Sequence, residues 1–449
     1  MQEGAVVMRE NSWMSQAQWI RWNPILLADA DKRKAYAESL RKQLALCRAS
    51  NPQMQRWTAA AWQIYEAALA HPSAYQGDDN AAMLPAYVPA FQLLDLFALT
   101  GGSPAFFPNL RKKRLFHRLR AESGAEPRRI LDDVHSRFLS PRKGKKRFAR
   151  SARKLAKPLE TYLGLAQKTL AFQKRRPLRV LVTGLMSAGK STFLNALLGR
   201  KILPMQNLAC TSKIHALVNK PYEDGYIYED DCVLVLDAGE RELFADDPQN
   251  ANDFTSVGLA FHGGLAGERV VLYDSPGVNA STHEAHRDIT AQFLAAGGAD
   301  VILYVMNFTQ LMTDDDAAHA RFVCQNIKGK NILFVVNKVD EIKTEESLEK
   351  TMGNATRFLE GIGFPQPLVC PVSADAAFFE KCVMAGESMD VLDQMKYIVY
   401  QKKLASLQLA SYYRNHFPAY FGNWRDLPEH DLLQDSGLAF AEHLIKRMG

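Results

Sequence analysis

No run of apolar residues in this 449-residue chain approaches the 18 or so needed to cross a bilayer. The most apolar stretch, Ala81 to Leu99, is interrupted by Pro85, Pro89, Gln92 and Asp95, and reads as a buried helix, with a partly inserting hairpin as its alternative. The start, MQEGAVVMRENSW, lacks the basic region and apolar core of a secretory signal. Cysteine is sparse: Cys47, Cys210, Cys232, Cys324, Cys370 and Cys382 form no CxxC pair and no metal spacing, so reduced thiols and a cytoplasmic location are expected. His283 and His286 lack the spacing of a zinc helix and read as surface residues. Internal repeats are absent. Hydrophobic content of 47% is ordinary for a globular protein, and the length allows two or three domains.

Charge is abundant but uneven. Residues 1–100 balance nine basic against nine acidic groups, residues 101–177 carry 22 against 5, and residues 178–449 carry 24 against 35. The basic excess is therefore local. Arg142 to Lys157 holds nine Lys or Arg and no acid, whereas Arg111 to Arg120 (RKKRLFHRLR) places Leu115, Phe116 and Leu119 at helical spacing. Such an amphipathic pattern suits an anionic membrane, an RNA backbone, or a solvated face neutralised by the acidic remainder of the chain.

The most informative stretch is Leu178 to Gly199, LRVLVTGLMSAGKSTFLNALLG, a short β-branched strand followed by a glycine-bracketed loop and a helix. The pattern GxxxxGK[ST] in that setting predicts a phosphate-binding loop rather than an ordinary glycine turn. Gly184 and Gly189 let successive N–H groups point at phosphate oxygens, and the following helix adds its positive end. Lys190 is placed to reach the β- and γ-phosphates, with Ser191 as the hydroxyl on Mg²⁺. Gly184, Ala188, Gly189, Lys190, Ser191 and Thr192 form the expected contact set of this loop.

Downstream motifs specify the nucleotide. ERVVLYDSPG supplies Asp274, expected at the outer shell of the metal through water, and Gly277, whose N–H is expected at the γ-phosphate. NILFVV runs into Asn337-Lys338-Val339-Asp340, where the Asp340 carboxylate can accept two hydrogen bonds from the N1 and N2 edge of guanine, a contact adenine cannot make. Guanine is the base this predicts. Lys338 is expected along the base plane, Asn337 tying its loop back to the phosphate loop, and Ser373-Ala374 offering a backbone N–H to guanine O6. A further threonine should complete the Mg²⁺ shell and touch the γ-phosphate; Thr211 is assigned that place, with Ser212 its rival. The 63 residues from Thr211 to Asp274 exceed two strands and a turn, so an insertion is expected, with extra strand over Tyr222–Leu243 and a short helix and loop over Asn252–Gly264.

The residue after the DxxG glycine is Val278, which cannot orient a water as glutamine does. GLMSAGKST with FLNALLG and ILP, then CTS, DSPGVN and NKVD, resembles the bacterial members of the dynamin superfamily, over about residues 178–385. That resemblance implies GTP hydrolysis, a monovalent cation (K⁺ or Na⁺) held in part by Ser187, and pairing of two GTPase heads across the nucleotide. Met186 stands where eukaryotic members carry glutamine, so turnover is expected to be slow without dimerisation or a partner.

The expected organisation is an α-helical domain over 1–172, a doubly wound α/β GTPase domain over 178–385, and a C-terminal helical segment over 386–449. Helical periodicity marks Ala37–Ala49, Arg56–Ala70, Arg128–Leu139 and Leu159–Phe172, with a linker near Ser140–Gly144; Val391–Tyr413 reads as one further helix. The last 65 or so residues are too few for a dynamin-like stalk, so the expectation is either a natural short form or one part of a split or truncated pair, the latter with a separate stalk-bearing partner chain. Three functions remain open at this stage: a GTP-hydrolysing dynamin-like protein, peripheral at a membrane; an RNA- or ribosome-associated GTPase switch; and a nucleotide-binding regulator with negligible turnover.

Overall fold

The computed structural model describes residues 14–46, 52–78, 80–100, 109–138, 157–203, 213–231, 233–239, 243, 254–275, 284–326, 331–343, 345–420 and 431–449. After a 3₁₀ segment, Met14–Trp22, the N-terminal part is helical: α1 (Ala30–Leu46), α2 (Pro52–Ala70), α3 (Val88–Leu99), α4 (Asn109–Glu122), α5 (Ala125–Phe138) and α6 (Lys157–Lys174). Trp19, Trp57, Tyr65, Phe91, Leu94 and Tyr162 form their common core. The expected linker at 140–144 lies outside the described residues.

The apolar stretch Ala81–Leu99 resolves into a 3₁₀ turn at Pro85–Tyr87 and α3, whose Pro89 falls in its first turn where no N–H is needed. Twelve residues span only about 18 Å, and no helix among the described residues is long and apolar enough to cross a membrane. The polar interruptions that disfavoured a membrane span have defined partners. Gln92 Nε2 donates to Ser39 Oγ at 2.9 Å. Asp95, fully buried, accepts from Asn23 Nδ2 (3.0 Å), Tyr36 Oη (2.6 Å), Tyr65 Oη (3.0 Å) and Tyr162 Oη.

The amphipathic reading of α4 needs a correction. Leu115, Phe116 and Leu119 are buried in the helical core, so the apolar side of this helix is already used. On its other side, Arg118 pairs with Glu122 and Arg120 with Asp132 on α5, both at 2.8 Å.

Nine strands among the described residues make one sheet: β1 (Leu178–Gly184), β2 (Ile214–Asn219), β3 (Tyr228–Asp231), β4 (Val233–Val235), β5 (Phe254–Leu259), β6 (Val270–Asp274), β7 (Val301–Asn307), β8 (Asn331–Asn337) and β9 (Leu368–Val372). Their spatial order is β4-β3-β5-β2-β6-β1-β7-β8-β9. Strands β6, β1, β7, β8 and β9 are parallel, and β2 pairs antiparallel to β6. Near-continuous apolar runs such as VILYVMN suit strands covered on both faces. Accordingly Phe193 and Leu197 of α7 (Lys190–Leu198) pack with Val180 and Val182, while Phe293 of α8 (Glu284–Ala295) packs with Leu181 and Ile302. Helices α9 (Asp314–Asn326), α10 (Leu348–Ile362) and α11 (Ala374–Met384) complete the doubly wound layer.

The insertion contains the strand expected over Tyr222–Leu243, as β3 and β4. Asn252–Gly264, expected as helix and loop, instead contains β5, which pairs parallel with β2 and antiparallel with β3. Tyr228 opposite Gly258 explains the difference: a Cβ on Gly258 would lie 1.6 Å from the tyrosine ring, so the glycine is a seat for a cross-strand aromatic rather than a strand breaker. The insertion also meets the helical domain. Tyr222, Tyr228 and Leu236 belong to its core, Arg56 pairs with Asp230 at 2.7 Å, and the Arg21 guanidinium lies 3.5 Å from the centre of the Tyr226 ring.

The C-terminal part folds back on the sheet. Val391–Tyr413 is two helices, α12 (Val391–Leu407) and α13 (Leu409–His416), broken where Gln408 adopts a left-handed conformation (φ 50°). They are followed by α14 (Asp431–Asp435) and α15 (Leu438–Met448). Leu404, Tyr413, Phe440 and Leu444 share the core of the sheet. A buried ion pair fastens this arrangement: Lys381 Nζ of α11 reaches Glu442 Oε1 of α15 (2.7 Å) and also donates to the carbonyls of Ala196 (2.6 Å) and Leu197 (3.3 Å) at the end of α7. Glu442 Oε2 accepts from the Gly264 amide at 3.1 Å.

Candidate nucleotide site

The site lies at the C-terminal ends of the parallel strands, where adjacent β1, β7, β8 and β9 release their loops. β1 ends at Gly184, whose φ of 152° and proximity to β7 exclude a side chain: a Cβ there would lie 2.2 Å from the Val305 carbonyl oxygen. A 3₁₀ turn, Met186–Ala188, then leads to Gly189 in the left-handed region (φ 80°), after which α7 begins at Lys190. Ser191 and Thr192 sit half-buried in its first turn. The chain here has the strand, turn and helix that its spacing predicts.

Lys190 is buried, and its ammonium donates to the carbonyls of Gly184 (3.1 Å) and Leu185 (3.3 Å). Desolvation lowers its pKa, while the carboxylate of Asp274 acts in the opposite sense. Asp274 ends β6 opposite Val182, and burial raises its carboxyl to about 6 against the pull of Lys190. Its Oδ1 is buried with no hydrogen-bond partner among the described residues. An orphaned carboxylate oxygen beside the start of a phosphate-loop helix fits a hydrated divalent cation, and Ser191 fits as the inner hydroxyl ligand.

Asn337 joins three loops. Its Nδ2 donates to the carbonyls of Ala188 (3.1 Å) and Gly189 (3.4 Å), and its Oδ1 accepts from the amides of Lys338 (2.8 Å) and Ala374 (3.0 Å). Lys338 is left-handed (φ 68°) and opens the turn that carries Asp340. Ser373 Oγ donates to Asp340 Oδ1 at 2.6 Å. The Ser373 side chain thus orients the carboxylate, a contact that the sequence motif did not specify.

Thr211, Ser212 and Gly277 lie outside the described residues. Two residues beyond the motifs join the site. Ser187 Oγ contacts Gln310 Oε1 at 3.0 Å, and Asn307, at the end of β7, donates from Nδ2 to the Ser187 carbonyl at 3.3 Å. Asn307 Oδ1 also accepts from Thr309 N (3.1 Å) and Oγ1 (3.0 Å), holding the turn that presents Gln310. The only sequence signal for this was the NFTQ stretch leaving an apolar strand.

Residues 180–339 match the model of the dynamin family. That stretch is similar to the dynamin family. A bacterial dynamin-like protein of Nostoc punctiforme is 28% identical over 37% of the chain and 25% of its own length. Dynamin-like protein 2 of Campylobacter jejuni is 24% identical over 54% of the chain and 39% of its own. A solved bacterial dynamin pair, described as sensing and tethering membranes, aligns with 98% of the chain and 65% of its own at 15% identity and a TM-score of 0.35. The chain thus spans between a quarter and about two fifths of these two curated relatives. The matched stretch runs from Val180 in β1 to Val339 just after β8, so the phosphate loop, Asp274 and Asn337 all fall inside it.

Proposed function

We propose that the chain binds GTP with Mg²⁺ and hydrolyses it to GDP and phosphate. The observation that carries this reading is Asn337, whose one side chain bonds the phosphate loop, the base-reading loop and the Ser373-Ala374 loop. Such a clamp fixes the distance between phosphates and base. Mg²⁺ held by Ser191, by Asp274 through water and by Thr211 would neutralise charge on the β- and γ-phosphates. Lys190 exchanges its two carbonyl partners for phosphate oxygens, and the Gly277 N–H meets the γ-phosphate. Asp340, oriented by Ser373, reads guanine, with Lys338 along its plane.

Direct measurement is fluorescence titration with a labelled GTP, competed by ATP, alongside phosphate release with and without Mg²⁺. ATP competing as well as GTP would overturn the guanine assignment. Asp340→Asn is expected to weaken GTP by about ten- to a hundredfold, since a buried donor facing guanine N–H groups costs ~1–3 kcal/mol, and to shift preference toward xanthosine triphosphate.

Hydrolysis has an unusual arrangement of polar groups. Val278 and Met186 supply no carboxamide, whereas Gln310 brings one to the rim of the phosphate loop beside Ser187. The paired oxygens of Ser187 and Gln310 suit a monovalent cation such as K⁺ or Na⁺, which would balance charge between phosphates. Gln310→Ala should therefore reduce kcat between about ten- and a hundredfold while leaving GTP affinity unchanged. Equal kcat in K⁺, Na⁺ and a cation-free buffer would remove the cation from this account.

Partners are addressed by charge. With Leu115, Phe116 and Leu119 committed to the core, α4 would meet an anionic membrane through its charges, as a peripheral contact, and the basic segment 101–177 would serve RNA equally. The acidic remainder makes a membrane contact directional, with the basic segment toward lipid. Flotation with anionic liposomes against sedimentation with ribosomes separates the two. Pairing of GTPase heads and a stalk-bearing second chain remain part of this proposal.

A further inference from the structure

The loop that supports Asp340 is held by residues far beyond the matched stretch, which ends at Val339. Among the described strands β9 is at the edge of the sheet, so one side of it has no strand to take its backbone bonds. The C-terminal part supplies them. Tyr413 Oη donates to the Pro371 carbonyl (2.9 Å) and the Ser373 amide donates to the Ser436 carbonyl (2.8 Å). Gly437 approaches so closely that a Cβ on it would lie 2.3 Å from the Pro371 oxygen. Ser373 is thereby fixed at its backbone by the same segment that carries α12.

Three consecutive residues then each carry one tie. Ser373 Oγ donates to Asp340 Oδ1 (2.6 Å), the Ala374 amide donates to Asn337 Oδ1 (3.0 Å), and Asp375 Oδ2 accepts from Tyr400 Oη of α12 (2.7 Å). The third tie leads out of the loop. α12 rests on the turn Val339–Glu341, where Tyr400 is half-buried and its hydroxyl feels the charge of Asp340 and Glu341 as well as that of Asp375. Burial raises the pKa of Asp375, the bond from Tyr400 opposes that rise, and the like charge of Asp340 adds to it. Two carboxylates within each other's field repel, and the loop carrying one of them relaxes by moving away unless a donor holds it. The Tyr400 hydroxyl is such a donor.

We propose that Tyr400 is a positioning residue of the guanine site: by holding Asp375 beside Asp340 it sets the loop from which Ser373 orients the base-reading carboxylate. The inference rests on the reading of Asp340 as the guanine contact. Asp340 accepts from both N1–H and N2–H₂ of guanine only while its carboxylate keeps the right rotation, because a bidentate contact is geometrically stricter than a single bond. Tyr400 acts through Asp375 and Ser373 and needs no contact with the nucleotide. A residue of the C-terminal segment, outside the matched stretch, thus takes part in selecting the base.

Titration of the full chain with labelled GTP, competed by GDP and by inosine triphosphate, which lacks the 2-amino group, tests this. Tyr400→Phe deletes one hydroxyl and should weaken GTP and GDP by the same factor, about three- to tenfold, since the loss is on the base side. The preference for GTP over inosine triphosphate should shrink with it, while circular dichroism stays unchanged. Asp375→Asn keeps an acceptor for Tyr400 and removes the repulsion, so alone it should leave GTP affinity within about twofold of wild type, and in the Tyr400→Phe background it should restore most of the loss. A hydroxyl that served packing alone would show no such rescue. Unchanged GTP affinity in Tyr400→Phe, a loss that Asp375→Asn does not relieve, or an undiminished preference over inosine triphosphate would each overturn the positioning role while guanine binding by the wild type stands. A wild type that binds no guanine nucleotide would overturn both.

Discussion

Lys190→Ala is expected to abolish measurable GTP binding while leaving the fold in place. In the nucleotide-free chain the ammonium is buried and shared between two backbone carbonyls, an arrangement that holds it at the mouth of the phosphate loop. Charge-assisted hydrogen bonds to phosphate contribute ~1.5–3 kcal/mol each. Losing two of them corresponds to a weakening of about 10² to 10⁴. The variant also leaves Asp274 without its neighbouring cation, which should raise its proton affinity further. Titration with labelled GTP checks the first effect, and circular dichroism checks that the helices and sheet persist. Affinity within a few-fold of wild type would refute the phosphate-loop assignment.

Asp95→Ala should be the most destabilising single change in the helical domain. The substitution leaves three tyrosine hydroxyls and the Asn23 amide facing a hole in a fully buried site. Each buried donor left unpaired costs ~1–3 kcal/mol, and partial re-pairing among the hydroxyls reduces the sum, so a net loss of ~3–5 kcal/mol is expected in urea titration. Tyr65→Phe, which removes one donor, should cost only ~1 kcal/mol. Burial raises the Asp95 carboxyl to about 6, against the four hydrogen bonds that lower it. Between the ordinary carboxyl value and about 6 the folded state binds the proton more tightly than the unfolded chain, so the contribution of this group falls as pH rises through that window and is constant above it. Asp95→Asn should flatten that part of the pH profile. A slope unchanged by Asp95→Asn would assign the titration elsewhere.

The strand, turn and helix around the candidate nucleotide site were legible because their information is local. Gly184, Gly189 and Lys190 sit within seven residues, and NKVD follows a strand that its own apolar run announces. What escaped is non-local. Gly258 reads as a loop residue until Tyr228, thirty residues earlier in sequence, is seen to lie across it. Leu115, Phe116 and Leu119 have the periodicity of a lipid-facing helix, and only packing reveals that the helical core already occupies that side. The break at Gln408 carries no glycine or proline signal, since a glutamine takes the left-handed conformation there. Gln310 belongs to no motif and joins the site through Asn307, which has its own local turn. Asp95, by contrast, was visible as a polar interruption of an apolar stretch but gave no hint of its three tyrosines, which come from α1, α2 and α6.

The bond between Lys381 and Glu442 bears on any attempt to isolate the sheet domain by itself. A fragment ending near Ala385, where the last nucleotide motif and its helix are complete, would strand a buried ammonium against the carbonyls of Ala196 and Leu197 and strip Phe440 and Leu444 from the layer they cover. Such a piece should come out of expression as aggregate, or with a loosened helix after Gly189, and weak nucleotide binding by it would be mistaken for a property of the full chain. Trimming the other end, at about Lys174, keeps that bolt in place but bares Tyr222 and Tyr228.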